Sequence, residues 1–309
     1  MKNTFSSNAI HETEFTKLNN QIENCFLNEP GPGALPEKRN NSKKKISYIV
    51  PNYFYNLSGY SSAWAFKNIA EEMFKDLYII ISHNTTKNSF ILIEDIQTPL
   101  GIAITDKQFS DELVKLTNIA VRKTNKNIDD ISNQYVQNKD SEDIINLTSQ
   151  LPFLQYAMKD KLNFLRTAYI SLGTEIEYEQ LIILKNAIEN ILKNQNKTTT
   201  YICASNLVHF GPDFNYVPFK FNIKESIENI DYKAIDLISK KESKKLIEFV
   251  EKESTTIYGY KAISLLIELS KNSEKSNLLE YYTTDLFKEI NTKKDENENS
   301  VSFLSFEFN

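Results

Sequence analysis

The sequence predicts an α/β fold, a single domain with a central, mostly buried β-sheet flanked by helices. Three observations predict it. Short apolar runs rich in β-branched residues recur at 46–50 (ISYIV), 77–81 (LYIII) and 199–205 (TTYICAS), the signature of strands buried on both faces. Amphipathic helical periods stand between them, as parallel strands require for their crossovers. No boundary divides residues 46–309, whereas residues 1–45 read as a polar N-terminal segment ahead of that domain.

The elements follow in order. Residues 1–12 are polar and are expected to be mobile, with His11 inert among them. Within 13–27, Phe15, Leu18, Ile22, Cys25 and Phe26 recur at helical spacing. Residues 28–45, with three prolines, two glycines and a basic end at Lys43–Lys45, read as a linker or surface loop. A helix is predicted over 63–74, with Phe66, Ile69, Ala70 and Met73 on one face. A strand pair is predicted at 89–95 and 99–106 around the turn near Pro99. Residues 107–160 read as mostly helical and polar, 164–173 as a strand and 175–194 as a long helix. Charged helices are expected over 224–252, a core-facing helix over 260–270, and an edge strand over 301–308.

Composition narrows the function classes. The 309 residues carry 36 Lys+Arg against 41 Asp+Glu, a formal net charge of −5, which argues against nucleic acid as the main partner. With 40% apolar and 25% charged residues, wholesale disorder is excluded. No apolar run approaches the roughly 18 residues of a membrane span. The first thirty residues lack the order of a signal peptide. Two cysteines, Cys25 and Cys203, make neither a disulfide framework nor a Cys-based zinc site, and a reducing cytoplasm is the expected compartment. The 7 glycines and 3 histidines are so few that each stands out.

No P-loop, GxGxxG, HExxH or GxSxG motif is present. What remains is positional. Three apolar strands run directly into polar residues: the first into Pro51-Asn52, the second into Ser82-His83, the third into Asn206-Leu207-Val208-His209. Ligands of open α/β sheets bind beyond the carboxyl ends of strands, so Asn52, His83, Asn206 and His209 are candidate pocket residues. A helical turn would put Asn206 and His209 on one face. Set against this, a histidine at a strand end is usually a hydrogen-bonded turn residue, and the asparagines would serve as turn or cap residues. Tyr258-Gly259 would be a packing tyrosine and a turn glycine, and Cys203 a small core residue.

The same positions carry a family resemblance. Pro51-Asn52-Tyr53-Phe54-Tyr55-Asn56-Leu57-Ser58-Gly59, followed by Ala63, resembles the pattern P-H-A-G-Y-x-Y-S-G…A. Ile81-Ser82-His83 stands at G-P-[NS]-H, Thr98-Pro99-Leu100-Gly101 with Asp106 at T-P-L-G…D, and Leu151-Pro152-Phe153 at the end of H-S-x-E-x-x-L-P-[FY]. Ser205-Asn206-Leu207-Val208-His209-Phe210-Gly211 resembles S-D-x-x-H-[WY]-G, and Tyr258-Gly259 stands at C-G. The five glycines beyond residue 34 all fall on the family's glycine positions. The family is MEMO, called AmmeMemoRadiSam system protein B in bacteria and archaea, and the resemblance runs from about Phe15 to the C-terminus.

That resemblance implies a single α/β domain similar to class III extradiol dioxygenases, with iron or copper held by histidines and a cysteine at positions 52, 83, 209 and 258 and a carboxylate at 206. Only His83 and His209 keep the ligand type; Asn52, Asn206 and Tyr258 depart from it, and the H-S-x-E element has become Ile145-Asn146-Leu147-Thr148. Such a donor set lacks the anion that divalent iron or zinc sites usually include, so a metal is expected to be absent or weakly bound. Three readings stay open. The first is a binding or regulatory protein, taking a small ligand or a protein partner, with an eroded non-heme metal site. The second is an iron- or copper-dependent, dioxygenase-like oxidoreductase using His83 and His209. The third is a metal-free enzyme with Tyr258 as acid and His209 as base. Neither nucleic acid nor a membrane is an expected partner.

Overall fold

The computed structural model describes residues 10–39, 47–122, 139–285 and 299–309. Its spine is four parallel strands: β1 (Ser47–Val50), β2 (Leu77–His83), β7 (Arg166–Leu172) and β8 (Thr199–Ala204). The remaining strands are β3 (Phe90–Leu92), β4 (Ile96–Thr98), β5 (Gly101–Thr105), β6 (Ala120–Arg122), β9 (His209–Phe210), β10 (Ser276–Thr283) and β11 (Ser300–Phe308). The sheet order is β10-β11-β1-β8-β2-β7-β3-β6, with β5 beside the start of β7 and β9 on β11. It is a mixed sheet: β11 runs antiparallel to β1 and β10, and β3 antiparallel to β7.

The helices are α1 (Phe15–Leu27), α2 (Tyr55–Glu71), α3 (Lys107–Thr117), α4 (Lys139–Thr148), α5 (Leu151–Ala157), α6 (Tyr178–Asn194), α7 (Ile223–Ser239), α8 (Ser243–Glu253) and α9 (Tyr260–Leu269). They cover both faces of the sheet. Alternate strand residues decide the sides, because successive side chains point to opposite faces. Ile49, Ile79, Ile81, Ile170, Cys203 and Phe306 pack against α3, α6, α7, α8 and α9. Tyr48, Val50, Tyr78, Ile80, Tyr169 and Ile202 pack against α1, α2, α4 and α5. This three-layer arrangement is the fold class expected from the sequence. Cys203 is fully buried in a strand, and burial pushes its thiol well above the usual range.

Several local expectations need correction. The strand at 301–308 is not an edge: β11 lies between β10 and β1, and all nine of its residues are buried. The edge is β10, whose largely half-exposed residues gave no apolar signal. Helix α2 starts at Tyr55 rather than near residue 63. Gly59, which reads as a loop residue, sits inside this helix because a Cβ there would lie 2.6 Å from Cys25 Sγ, so only glycine lets α1 and α2 approach this closely. The hairpin at Pro99 forms between β4 and β5, while β3 pairs instead with β6 and β7.

The N-terminal region is more tightly held than its polarity suggested. Ile10 and His11 are buried, the His11 ring packing 5.3 Å from Tyr55, and the Tyr55 N–H donates to the Ile10 carbonyl. Leu18, Ile22, Cys25 and Phe26 of α1 join the core on the α2 side. Arg39 donates to the carbonyls of Glu72 and Ala157 and pairs with Asp160 at 2.8 Å. Residues 1–9 and Lys43–Lys45 lie outside the described residues.

Candidate functional site

Register brings the site together. Val50, Ala204 and Ser82 lie side by side across β1, β8 and β2, so Asn52, Asn206 and His83 emerge together one or two residues later. The Ser205 N–H donates to the Val50 carbonyl, continuing the ladder to the crevice floor.

Asn206 closes the gap between two strand ends. Its Oδ1 accepts the Asn52 N–H at 2.8 Å and its Nδ2 donates to the Asn52 carbonyl at 2.8 Å. The amide therefore satisfies both backbone polar groups of one residue, which only a group with a donor and an acceptor can do. The same Nδ2 lies 3.4 Å from His209 Nε2.

Asn206 and His209 meet without the predicted helical turn; a bend at Leu207 leads directly into β9. Antiparallel pairing of β9 with β11 sets Val301 opposite His209, and the Leu207 N–H donates to the Ser302 carbonyl. On the other side, the His209 N–H donates to Thr256 Oγ1 at 3.0 Å, and His209 Nδ1 lies 3.1 Å from the Thr256 carbonyl. A carbonyl only accepts, so Nδ1 carries the proton and Nε2 turns its lone pair toward Asn206.

Asn52 is fully engaged: Ser149 Oγ donates to its Oδ1 at 2.7 Å, and its Nδ2 donates to Asn146 Oδ1 at 3.1 Å. His83 ends β2 half-buried, and its buried Nδ1 has no hydrogen-bond partner among the described residues. Tyr258 stands over both histidines, its ring 5.0 Å from His209 and 6.3 Å from His83, and it is 45% exposed. Phe214 packs edge-on against His209 at 5.1 Å. Gly259 is required by close approach, since a Cβ there would lie 2.0 Å from Ser205 Oγ and 3.3 Å from His83 Nδ1.

The five predicted pocket residues, Asn52, His83, Asn206, His209 and Tyr258, thus fall at one end of the sheet. Four contributors escaped the sequence reading: Asn146, Ser149, Ser205 and Thr256. Ser205 and Asn146 were legible only as members of motifs, and Thr256 carried no signal because its role rests on a backbone carbonyl and a hydroxyl from a distant loop.

Electrostatically the site is neutral. Burial pushes the His83 and His209 imidazoles down to about 4, His209 adding a repulsion to His83. Partial burial raises the Tyr258 phenol. At neutral pH the arrangement offers neutral imidazoles, amides and a protonated phenol between aromatic faces. Among the described residues no three His, Cys, Asp or Glu side chains come together as a metal-binding group.

A mixed sheet covered by helices on both faces, with its crevice at the parallel strands' carboxyl ends, defines a three-layer α/β protein. The chain belongs to the family described as Memo-like protein, whose model matches residues 8–304. It is similar to a MEMO1 family protein of Saccharolobus islandicus, 27% identical over 284 residues that cover 89% of this chain and 90% of the relative. A MEMO1 family protein of Sulfolobus acidocaldarius is 28% identical over 274 residues, covering 86% of each chain. One from Methanococcus vannielii is 25% identical over 291 residues, covering 92% of this chain and 93% of the relative. Among solved structures, an uncharacterized protein of Escherichia coli K12 shares the fold with a TM-score of 0.51 at 11% identity, covering 86% of this chain and all of the other. Among the described residues no helix is long and apolar enough to cross a membrane.

Proposed function

We propose that this Memo-like chain serves in a binding or regulatory role, its crevice a neutral, metal-independent recognition site for a small ligand or a partner's side chain. The observation that carries this reading is the two-point pairing of the Asn206 amide with the Asn52 peptide, extended to His209 Nε2. Where the family resemblance places a carboxylate beside a metal, an amide hydrogen faces the imidazole lone pair.

The donor set does not fit a resident divalent iron or copper ion. Two neutral imidazoles are the only strong donors. Both polar atoms of the Asn52 amide are committed to Ser149 and Asn146. The Tyr258 phenol is held protonated, and no anion compensates the ion's charge. Iron or copper would therefore bind weakly.

The faces left for a ligand are the half-buried ring of His83, the ring of His209 and the Tyr258 hydroxyl. They suit a neutral, flat molecule able to hydrogen-bond the imidazole and the phenol. Elemental analysis of protein purified anaerobically without an affinity metal tests the reading, with a His83→Ala/His209→Ala variant alongside. Far less than one equivalent of iron and copper is expected in both. Near-stoichiometric metal in the parent, lost in the variant, would overturn it.

One observation favours a second reading, an iron- or copper-dependent oxidoreductase. His83 Nδ1 is buried and unpartnered, and His209 is fixed by Thr256 in the tautomer that leaves Nε2 unprotonated, as second-shell carbonyls do for metal-bound histidines. Oxygen consumption with catechol-type substrates and added Fe(II) would decide for it; inactivity across the panel with no metal uptake would remove it.

A further inference from the structure

A second cleft opens at the opposite end of the sheet, where β2, β7 and β8 begin. Seven-residue strands place it roughly 20 Å from the crevice. It is an open cleft of about 720 Å³, within the size range of small-molecule sites. Its lining includes Lys107, Lys161, Arg166 and Lys197 against Asp76 and Asp106. Four cations less two carboxylates leave a surplus of two positive charges on a chain whose net charge is −5.

Both carboxylates are already committed. Asp76 accepts the Thr198 N–H at 2.8 Å and its hydroxyl at 2.7 Å. Asp106 caps α3 by accepting the Phe109 N–H at 3.1 Å, and it pairs with Lys197. Lys107 stands 3.7 Å from Asp95. Lys161 and Arg166 form no ion pair among the described residues, Asp160 attracting Lys161 from beyond ion-pair distance. The Arg166 guanidinium is instead anchored through Nη1 to the carbonyls of Asn163 and Leu165, at 3.2 and 2.9 Å, which leaves Nε and Nη2 without a hydrogen bond among the described residues. Phe164, on the same turn, lines the cleft while 66% exposed.

We propose that this cleft binds a small organic phosphate that carries a planar ring, with the chemistry of an aryl phosphate or a nucleoside monophosphate. A phosphate monoester is largely a dianion at neutral pH, and Lys161 and Arg166 are the lining cations that face it without an ion pair among the described residues. The anchored Arg166 fork suits two oxygens at once, Lys161 adds a point charge, and the ring covers the exposed face of Phe164.

Isothermal titration of the full chain tests this with phenyl phosphate, adenosine monophosphate, inorganic phosphate and benzoate. Saturable one-to-one binding is expected for at least one of the two ring-bearing phosphates, tighter than for inorganic phosphate or benzoate. Lys161→Glu should weaken it by about tenfold or more, with Lys161→Gln as the milder variant should the reversal disturb folding. Phe164→Ser should abolish the preference for the ring-bearing phosphate and spare inorganic phosphate. Absence of saturable binding, affinity unchanged in both Lys161 variants, or equal affinity for inorganic and ring-bearing phosphates would overturn the proposal.

Discussion

The parallel strands of one sheet end in one chemistry and begin in another. Where β1, β2 and β8 end, amides, imidazoles and hydroxyls are buried and mostly hydrogen-bonded, and both imidazoles are uncharged at neutral pH. Where β2, β7 and β8 begin, charged side chains face a cleft and half of them stay in solvent. The difference follows from desolvation. A neutral polar group is buried at modest cost once hydrogen-bonded, whereas a charge must keep water or a partner. Polar groups at the crevice end are therefore structural as well as chemical, and substitutions there should cost far more than at the other end.

The largest expected effect is at Asn206. Asn206→Leu strands both the N–H and the carbonyl of Asn52 and should lower unfolding free energy by on the order of 3 kcal/mol in urea titrations. Asn206→Asp should lose most of the same amount at neutral pH, because a carboxylate facing the Asn52 carbonyl cannot donate, and should recover part of it as acid protonates it. An Asn206→Asp variant as stable as the parent would show that the bridge is not holding the strand ends. Gly259→Ala should cost about 1–3 kcal/mol by overpacking against Ser205.

Next comes a pH effect below the crevice. Asp231 is fully buried, accepts the Val208 N–H at 3.1 Å and the Tyr281 hydroxyl at 2.8 Å, and burial raises its carboxyl to about 7. The folded state binds this proton more tightly than the unfolded chain does. Its stabilising contribution is thus complete below the ordinary carboxyl range near 4 and is lost as pH rises toward 7. Asp231→Asn should remove that loss and stand above the parent at pH 8 by on the order of 3 kcal/mol or less, measured as the difference between denaturation curves at pH 5 and 8. A parallel pH dependence in both proteins would place the titration elsewhere.

Smaller effects belong to the charged end. Lys197→Met leaves Asp106 its capping bond and should cost about 1 kcal/mol, read as a shift in the denaturation midpoint. Phe164→Ser should change stability by no more than about 0.5 kcal/mol, since the ring is exposed. A cost above 2 kcal/mol for either would erase the contrast between the two ends.

Much of this was legible in the sequence because parallel strands buried on both faces must be apolar throughout. The runs ending at Val50, Ile81 and Ala204 announced themselves, and so did the polar residues that follow them. β10 was not legible: an edge strand needs no apolar run, and most of its residues are half-exposed. The start of α2 was hidden because Asn56, Ser58 and Gly59 look like a loop, and only the packing of α1 against Gly59 explains them. Asn146, Ser149 and Thr256 were invisible as site residues because their partners lie 94, 97 and 47 positions away.

What the sequence determined by itself was the alternation of strand and helix, the family to which the chain belongs, and the five polar residues gathered at one end of the sheet. The alternation and the four residues at strand ends follow from local composition and spacing; the family and Tyr258 follow from the motifs the chain shares with it. Tertiary structure alone decided that Asn206 pairs with the Asn52 peptide, that Thr256 sets the His209 tautomer, and that unpaired cations collect beside Phe164 at the far end. Each depends on register between segments distant in the chain, where a shift of one residue would turn every side chain to the other face.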